Sequence, residues 1–277
     1  PMRAQYLRVL FAELERITNH FGDIGAIMLV TGFNFGGAQG ARLREVMMQI
    51  QERITGSRFL RGVNTVGGVL RDVNDIERKK LHEDLKHIEK DFLEVVSIAL
   101  GSISLLNRLK DTGVLSREIA KNHGVTGVTA RCVGIPTDAR VDFPYAAYSR
   151  VRLAHGVALE EEGDVFARFN VRIKEVHASI ALIQKVLMDM PEGKITSTSA
   201  EIKLRKNSSA VSIVEGWRGE ILYFVTTDSV GNISRVAPRD PSFVNWTVVG
   251  AAGLGNMVPD FPLINKSFNL SYSGNDL

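Results

Sequence analysis

Between residues 4 and 31 apolar side chains recur every third or fourth position, at Leu7, Leu10, Phe11, Leu14, Ile17, Phe21, Ile24 and Met28. A stripe of this period and length predicts one long amphipathic helix. Arg3, Arg8, Glu13, Glu15, Arg16 and Asn19 form its polar face. A helix this long must bury its stripe against others, and the chain supplies them. Leu43, Val46, Met47, Ile50 and Ile54 mark a second helix that ends at Thr55-Gly56-Ser57. Asn74 or Asp75 can cap a third, whose stripe (Ile76, Leu81, Leu85, Ile88, Phe92, Val96, Leu100) runs on toward Leu109. A short helix capped by Ser116 is predicted over 115–121, and a fourth long one over 163–189.

Residues 61–70 (RGVNTVGGVL) read as a buried loop or a short extended piece, and 122–150 as an irregular, glycine- and proline-rich crossing. After Met190-Pro191-Glu192-Gly193 the character changes. Residues 220–227 (EILYFVTT), a polar turn and 233–236 have the signature of a β-hairpin. A last helix over 243–252 and an extended polar tail complete the reading. The predicted fold class is mainly α: a long-helix bundle in a single domain over 1–277, with a small β element at about 212–240.

Composition narrows the function. Thirty-four Lys and Arg against 31 Asp and Glu leave a net charge of +3, too balanced for a nucleic-acid footprint. Cys132, the sole cysteine, excludes an internal disulfide and any all-cysteine metal site. No apolar run approaches the ~20 residues that span a bilayer, and no signal-peptide pattern is present. A chain that opens on Pro1 reads as cut from a longer protein.

Three segments can carry chemistry. Gly32, Gly36, Gly37 and Gly40 lead into a helix, so they suit a phosphate cradle or a tight interhelical turn; the Lys-Ser/Thr ending of a P-loop is missing. Residues 122–127 (NHGVTG) form a glycine-hinged loop, in which His123 can donate a proton or the glycines can merely reverse the chain. In residues 215–220 (EGWRGE), Arg218 is crowded by glycines and glutamates. A buried arginine must be paired, and such a group can anchor an anion. The histidines at 20, 82, 87, 123, 155 and 177 lack the helical spacing of a metal pair, so no metal site is expected.

Several motifs occur together and in order: RAQYLRVLFAELERI with Asn19-His20, ITGSR at 54–58, NTVGGV at 64–69 with Arg71-Asp72, and GVTG at 124–127. GIPTDARVDFPYAAY at 134–148, MPEG at 190–193, EGWRGE at 215–220 and RDPSFVN at 239–245 follow. This ordered set resembles the superfamily that joins the 49-kDa-type subunit of respiratory complex I, an NADH-quinone oxidoreductase, to the large subunits of energy-converting, membrane-bound [NiFe] hydrogenases. The resemblance implies the helical fold of a [NiFe] hydrogenase large subunit, an iron–sulfur small subunit carrying a 4Fe-4S cluster as partner, membrane-arm subunits as neighbours, and a peripheral place on the cytoplasmic side of the membrane. It implies an oxidoreductase subunit that passes electrons from the partner's cluster to an acceptor, quinone, in a cavity; a silent docking scaffold is the alternative.

Hydrogenases of this superfamily hold nickel and iron with two Cys-x-x-Cys pairs. Ser271 and Gly274 stand at the C-terminal pair, so no nickel is expected. An acidic residue of the family's first long helix aligns with Val30. By the resemblance Arg218 faces the cavity and holds a polar or anionic ligand, Glu215 and Glu220 orient it, His123 donates a proton, and Asp138 is a catalytic candidate in the neighbouring loop crossing. Arg140 sits beside Asp138, and Arg58 and Asp72 form pairs close by.

Overall fold

The computed structural model describes residues 1–153, 156–197 and 202–276; His155 and Leu277 lie outside them. Helix α1 (Met2–Val30) is the axis of the molecule. It packs on α2 (Asn34–Thr55), on the later helix α8 (Val165–Asp189) and on α11 (Phe261–Phe268). One contiguous set of buried apolar side chains runs through it, including Leu7, Leu10, Leu14, Ile17, Phe21 of α1, Met47 of α2, Phe169, Ile180 and Ile183 of α8, and Phe268 of α11. Among the described residues no single helix is long and apolar enough to cross a membrane.

The glycine cluster serves helix packing. Gly32 turns the chain at φ +83°, but Gly36, Gly37 and Gly40 lie within the first turns of α2 and face α1. A Cβ on Gly40 would fall 2.5 Å from the Cα of Gly25. The two backbones therefore meet directly, an approach that only glycine permits. The tight interhelical turn is present at Gly32, while the other three glycines serve close helix packing.

A short antiparallel pair, β1 (Asn64–Thr65) with β2 (Gly68–Val69), occupies the glycine-rich stretch, in agreement with the extended alternative. Helix α3 (Asp75–Leu100) starts with Asn74 accepting from the Glu77 N–H at 2.9 Å. It does not reach Leu109. Gly101 ends it, Ser102 caps α4 (Ile103–Leu109), and the two helices meet at 82°. Then come α5 (Arg117–Asn122), capped by Ser116, α6 (Val128–Arg131) and α7 (Ala139–Asp142) within the irregular crossing. Asp164 caps α8 through the Ala167 N–H at 2.7 Å.

The β element has three strands, not two. β3 (Ser209–Glu215) precedes β4 (Glu220–Thr227) and β5 (Ile233–Arg239), all antiparallel in the order β3-β4-β5. β3 is half-exposed and carries serines, so its sequence gives a weak strand signal.

The predicted C-terminal helix is split into α9 (Pro241–Asn245), a 3-10 turn and α10 (Val249–Gly253). The tail is helical rather than extended: α11 buries Leu263, Ile264 and Phe268, and α12 (Tyr272–Asn275) follows. Pro259, Pro262 and the short length of these pieces hide their period.

Replacing Gly40 by Ala forces α1 and α2 apart and is expected to destabilise the chain by about 1–3 kcal/mol. Gly250→Ala, on the open side of α10 with nothing within 4 Å of the new methyl group, should be neutral or slightly stabilising. Thermal melts of the two variants check the contrast.

Candidate functional site

The motif segments converge because their glycines let backbones touch. The turn between β3 and β4 is closed by the Gly216 N–H donating to the Gly219 carbonyl at 2.8 Å. Gly127, at φ +66°, lies against it, and a Cβ there would come within 2.0 Å of the Arg218 carbonyl oxygen. Asn245 fixes the same loop from the other side. Its Oδ1 accepts from the Thr126 N–H at 3.0 Å and its Nδ2 donates to the Thr126 carbonyl at 3.2 Å. Three motifs that are far apart in sequence thus form one wall.

Beneath that wall lies a buried cluster of charges. From α1, Glu13 accepts from Tyr148 Oη at 2.6 Å, Ser179 Oγ at 2.5 Å and Arg140 at 3.2 Å. Arg16 pairs with Glu13 at 3.3 Å and donates to the carbonyls of Glu215 and Gly216, both at 2.9 Å. One helical turn further, His20 Nε2 lies 2.7 Å from Glu175 of α8. Arg131 of α6 stands between Glu175 at 2.7 Å and Glu215 at 2.9 Å. Asp138 forks with Arg140 at 2.7 and 3.0 Å and caps α7 through the Arg140 N–H. Glu215 also accepts from the Ala139 N–H at 2.9 Å.

Burial raises the cost of every charge here, and the partners decide the outcome. It opposes ionisation of Glu13, but Arg140 and Arg16 outweigh it and hold the carboxyl below its usual range. Glu175 is likewise held low, by Arg131 and His20 against burial. Asp138 is carried down to about 2, burial being overcome by Arg140 and Arg131. Burial pushes Glu215 up, with Asp138 adding to it against Arg131. Burial also lowers His20, against the pull of Glu175, so its imidazole is neutral and donates through Nε2 to the carboxylate.

Two cavities flank the cluster. The larger, about 560 Å³, lies between α1, the 59–64 loop and the β3–β4 turn. Its walls include Phe11, Phe59, Leu60 and Trp217. Arg8 Nε and Trp217 Nε1, on two residues of this lining, are both buried and both lack a hydrogen-bond partner. The smaller cavity, about 310 Å³, is lined by Asp138, Glu215, Glu220 and the 124–127 loop. Glu215 lines both.

The expected site residues divide accordingly. Asp138, Glu215 and Glu220 meet at the smaller cavity, and Arg140 adjoins through Asp138. Arg218 lines neither cavity. Its Nε donates to the Asn269 carbonyl at 2.5 Å and its guanidinium lies 4.9 Å from the Trp217 ring, so it straps the C-terminal segment to the turn. Glu215 and Glu220 do not orient it: Glu215 pairs with Arg131 and Glu220 with Arg239. His123 is exposed and bonds Thr247 at 3.0 Å, outside both linings. Arg58 pairs with Glu45 at 2.6 Å and Asp72 with Arg3 at 2.9 Å; both pairs form, but neither borders a cavity described above.

Sequence reasoning missed Glu13, Arg16, His20, Arg131 and Glu175. The signal was present on α1, where residues 13, 16 and 20 fall at helical spacing on one stripe. That "polar face" is largely interior.

Ser271 and Gly274, which the resemblance sets at the C-terminal cysteine positions of hydrogenases, are engaged in local contacts. Ser271 Oγ accepts from the Gly274 N–H at 3.0 Å as a helix cap. A Cβ on Gly274 would lie 2.7 Å from Asp240 Cγ. Thiolates are absent, and at 274 a carboxylate fills the space a side chain would need. Among the described residues no group of three His, Cys, Asp or Glu is placed to hold a metal ion.

The fold and its ordered motifs are those of subunits of complex I-like and hydrogenase-related membrane complexes. The chain is a member of the family described as respiratory-chain NADH dehydrogenase, 49 Kd subunit, matched over residues 30–212. It is 31% identical to the carbon monoxide-induced hydrogenase of Rhodospirillum rubrum, over 97% of this chain and 74% of that one. It is 32% identical to an NADH-quinone oxidoreductase subunit of Herpetosiphon aurantiacus, over 98% and 74%. It superposes with TM-score 0.92 and 26% identity on a chain of the membrane-bound sulfane sulfur reductase, an archaeal respiratory membrane complex, covering 100% of this chain and 76% of that one.

Arg131→Met leaves Glu175 and Glu215 buried without their shared cation and is expected to cost about 3–5 kcal/mol. Because the folded-state values of Glu13, Glu175 and Asp138 are depressed, their stabilisation is complete above the ordinary carboxylate range. It is lost as pH falls from there through the folded values, about 2 for Asp138. Denaturant titrations down that pH range should show a progressive fall.

Proposed function

We propose that the chain is the acceptor-side subunit of a membrane-associated electron-transfer complex. It takes electrons from an iron–sulfur cluster on a partner subunit and delivers them to a quinone in the 560 Å³ cavity, without nickel. The observation that carries this reading is the pair of orphaned donors, Arg8 Nε and Trp217 Nε1, among residues that line one aromatic-walled space. Buried N–H groups without acceptors are costly, so a cavity that keeps two of them is built for a ligand with two acceptor atoms. A planar, apolar ring with two carbonyl oxygens meets both demands; the aromatic walls take the ring. Membership of the 49-kDa family and likeness to subunits of quinone-reducing and hydrogenase complexes support the same reading. Docking against the iron–sulfur subunit and membrane arm would place the chain peripherally, on the cytoplasmic side.

A second reading is a scaffold that docks its partners without chemistry. Gly274 packed on Asp240 and the apolar Val30 favour it, since both stand where the superfamily resemblance implies reactive groups.

Trp217→Phe removes one N–H and keeps the ring. In the assembled complex it should raise the KM for a short-chain quinone by up to about tenfold, the worth of one hydrogen bond. Ala12→Phe, which fills the cavity from α1, should lower turnover at least as much with assembly intact. Unchanged kinetics in both would overturn the assignment of the cavity, and electron transfer to no acceptor in the wild-type complex would establish the scaffold.

A further inference from the structure

The buried cluster is not neutral. With His20 neutral beside Glu175, Arg16, Arg131 and Arg140 supply three positive charges; Glu13, Asp138, Glu175 and Glu215 supply four carboxylates, all with side chains 3% exposed or less. The nearest further ion pair, Arg172 with Asp23 at 3.2 Å, is balanced in itself. An uncompensated charge in an interior is expensive, and a proton removes it.

The contacts show which carboxylate takes that proton. Glu13 is ringed by four side-chain donors: Tyr148, Ser179, Arg140 and Arg16. Glu175 has Arg131 and His20. Asp138 holds both arms of the Arg140 fork. Glu215 has the Ala139 N–H at 2.9 Å and one guanidinium nitrogen, Arg131 Nη1 at 2.9 Å, which it shares with Asp138 Oδ2 at 3.5 Å. Two carboxylates that converge on one nitrogen cannot both ionise freely, and the one with the weaker cation yields. Glu215 is also the member of the cluster that lines both cavities. The outer charged groups of the smaller cavity are elsewhere engaged or screened. Glu220 of β4 pairs with Arg239, Asp142 accepts from the Asp138 N–H at 2.9 Å, and Lys121 of α5 is exposed. Tyr145 Oη accepts from the Glu215 backbone N–H at 3.1 Å, and burial raises its phenol to about 12, so it stays neutral.

We propose that Glu215 carries an exchangeable proton in the folded chain near neutral pH and exchanges it with solvent through the 310 Å³ cavity. The residue is then a proton-holding site in the wall common to both cavities. Its role as a proton source for a reduced acceptor rests on the quinone reading above; its protonation does not.

Infrared spectroscopy of the full chain at pH ~6.5, about two units above the ordinary glutamic-acid pKa, tests this with no acceptor or partner present. A carboxylic-acid carbonyl band that shifts in deuterated water is expected. It should vanish in Glu215→Gln, survive in Glu220→Gln, and titrate at lower pH in Asp138→Asn, where the competing charge is gone. No acid band in the wild type, or a band that survives in a folded Glu215→Gln, overturns the proposal. Should Glu215→Gln fail to fold, the wild-type band must still bleach by one group as pH rises from ~6.5; a band that does not titrate overturns it equally. The kinetics of Trp217→Phe bear on the quinone reading alone, so the two failures are separable.

Discussion

The candidate site is organised around Arg131. Its guanidinium is fully buried and joins Glu175 of the last long helix to Glu215 at the end of the first strand of the sheet. Arg16 repeats the linkage from α1, holding Glu13 with one face and the carbonyls of Glu215 and Gly216 with the other. The β3–β4 turn is thereby pinned to the helical body through charge-assisted bonds rather than apolar packing. Such bonds are directional, and a network of this kind adds more to positional definition than to net stability. That is the property a cavity wall needs.

Glycine supplies the second constraint. Gly25 against Gly40 sets how close α1 and α2 run; Gly127 against Arg218 sets how close the 124–127 loop comes to the turn. Both are backbone contacts that no side chain tolerates. The first fixes the helical frame and the second brings the 124–127 loop, which lines the smaller cavity, against the turn that lines the larger. The orphaned nitrogens of Arg8 and Trp217 sit on the frame and on the turn respectively.

The long helices are legible because their apolar period survives over many turns: the bounds of α1 and α8 and the end of α2 lie close to those read from the sequence, whereas α2 starts earlier, within the glycine cluster. Short elements are not. α9 to α12 are each too brief for a period to emerge, and β3 carries serines at exposed positions. The site is legible in its motifs and illegible in its pairings. Glu215, Asp138 and Arg140 stand out in the sequence, but their partners are 76 or more residues away in several cases, such as Glu215 with Ala139 and Arg140 with Glu13. Arg218, expected as a ligand anchor, instead binds a carbonyl of the chain's own C-terminal segment. A sequence shows that an arginine needs a partner; it does not show that a backbone oxygen will serve.

The strap made by Arg218 bears on how the C-terminal segment holds its shape without thiolates. Asn269, whose carbonyl Arg218 holds, also donates from its side chain to Asp23 of α1 at 2.5 Å. Ser271 donates its N–H to Ser242 at 3.0 Å and Trp246 donates to the Ser271 carbonyl at 3.1 Å. Gly274 then packs directly on Asp240. Hydrogen bonds from α1, α9 and the turn hold the segment in place. On the proposed reading the reactive space lies off this segment, in the cavity lined by Arg8 and Trp217.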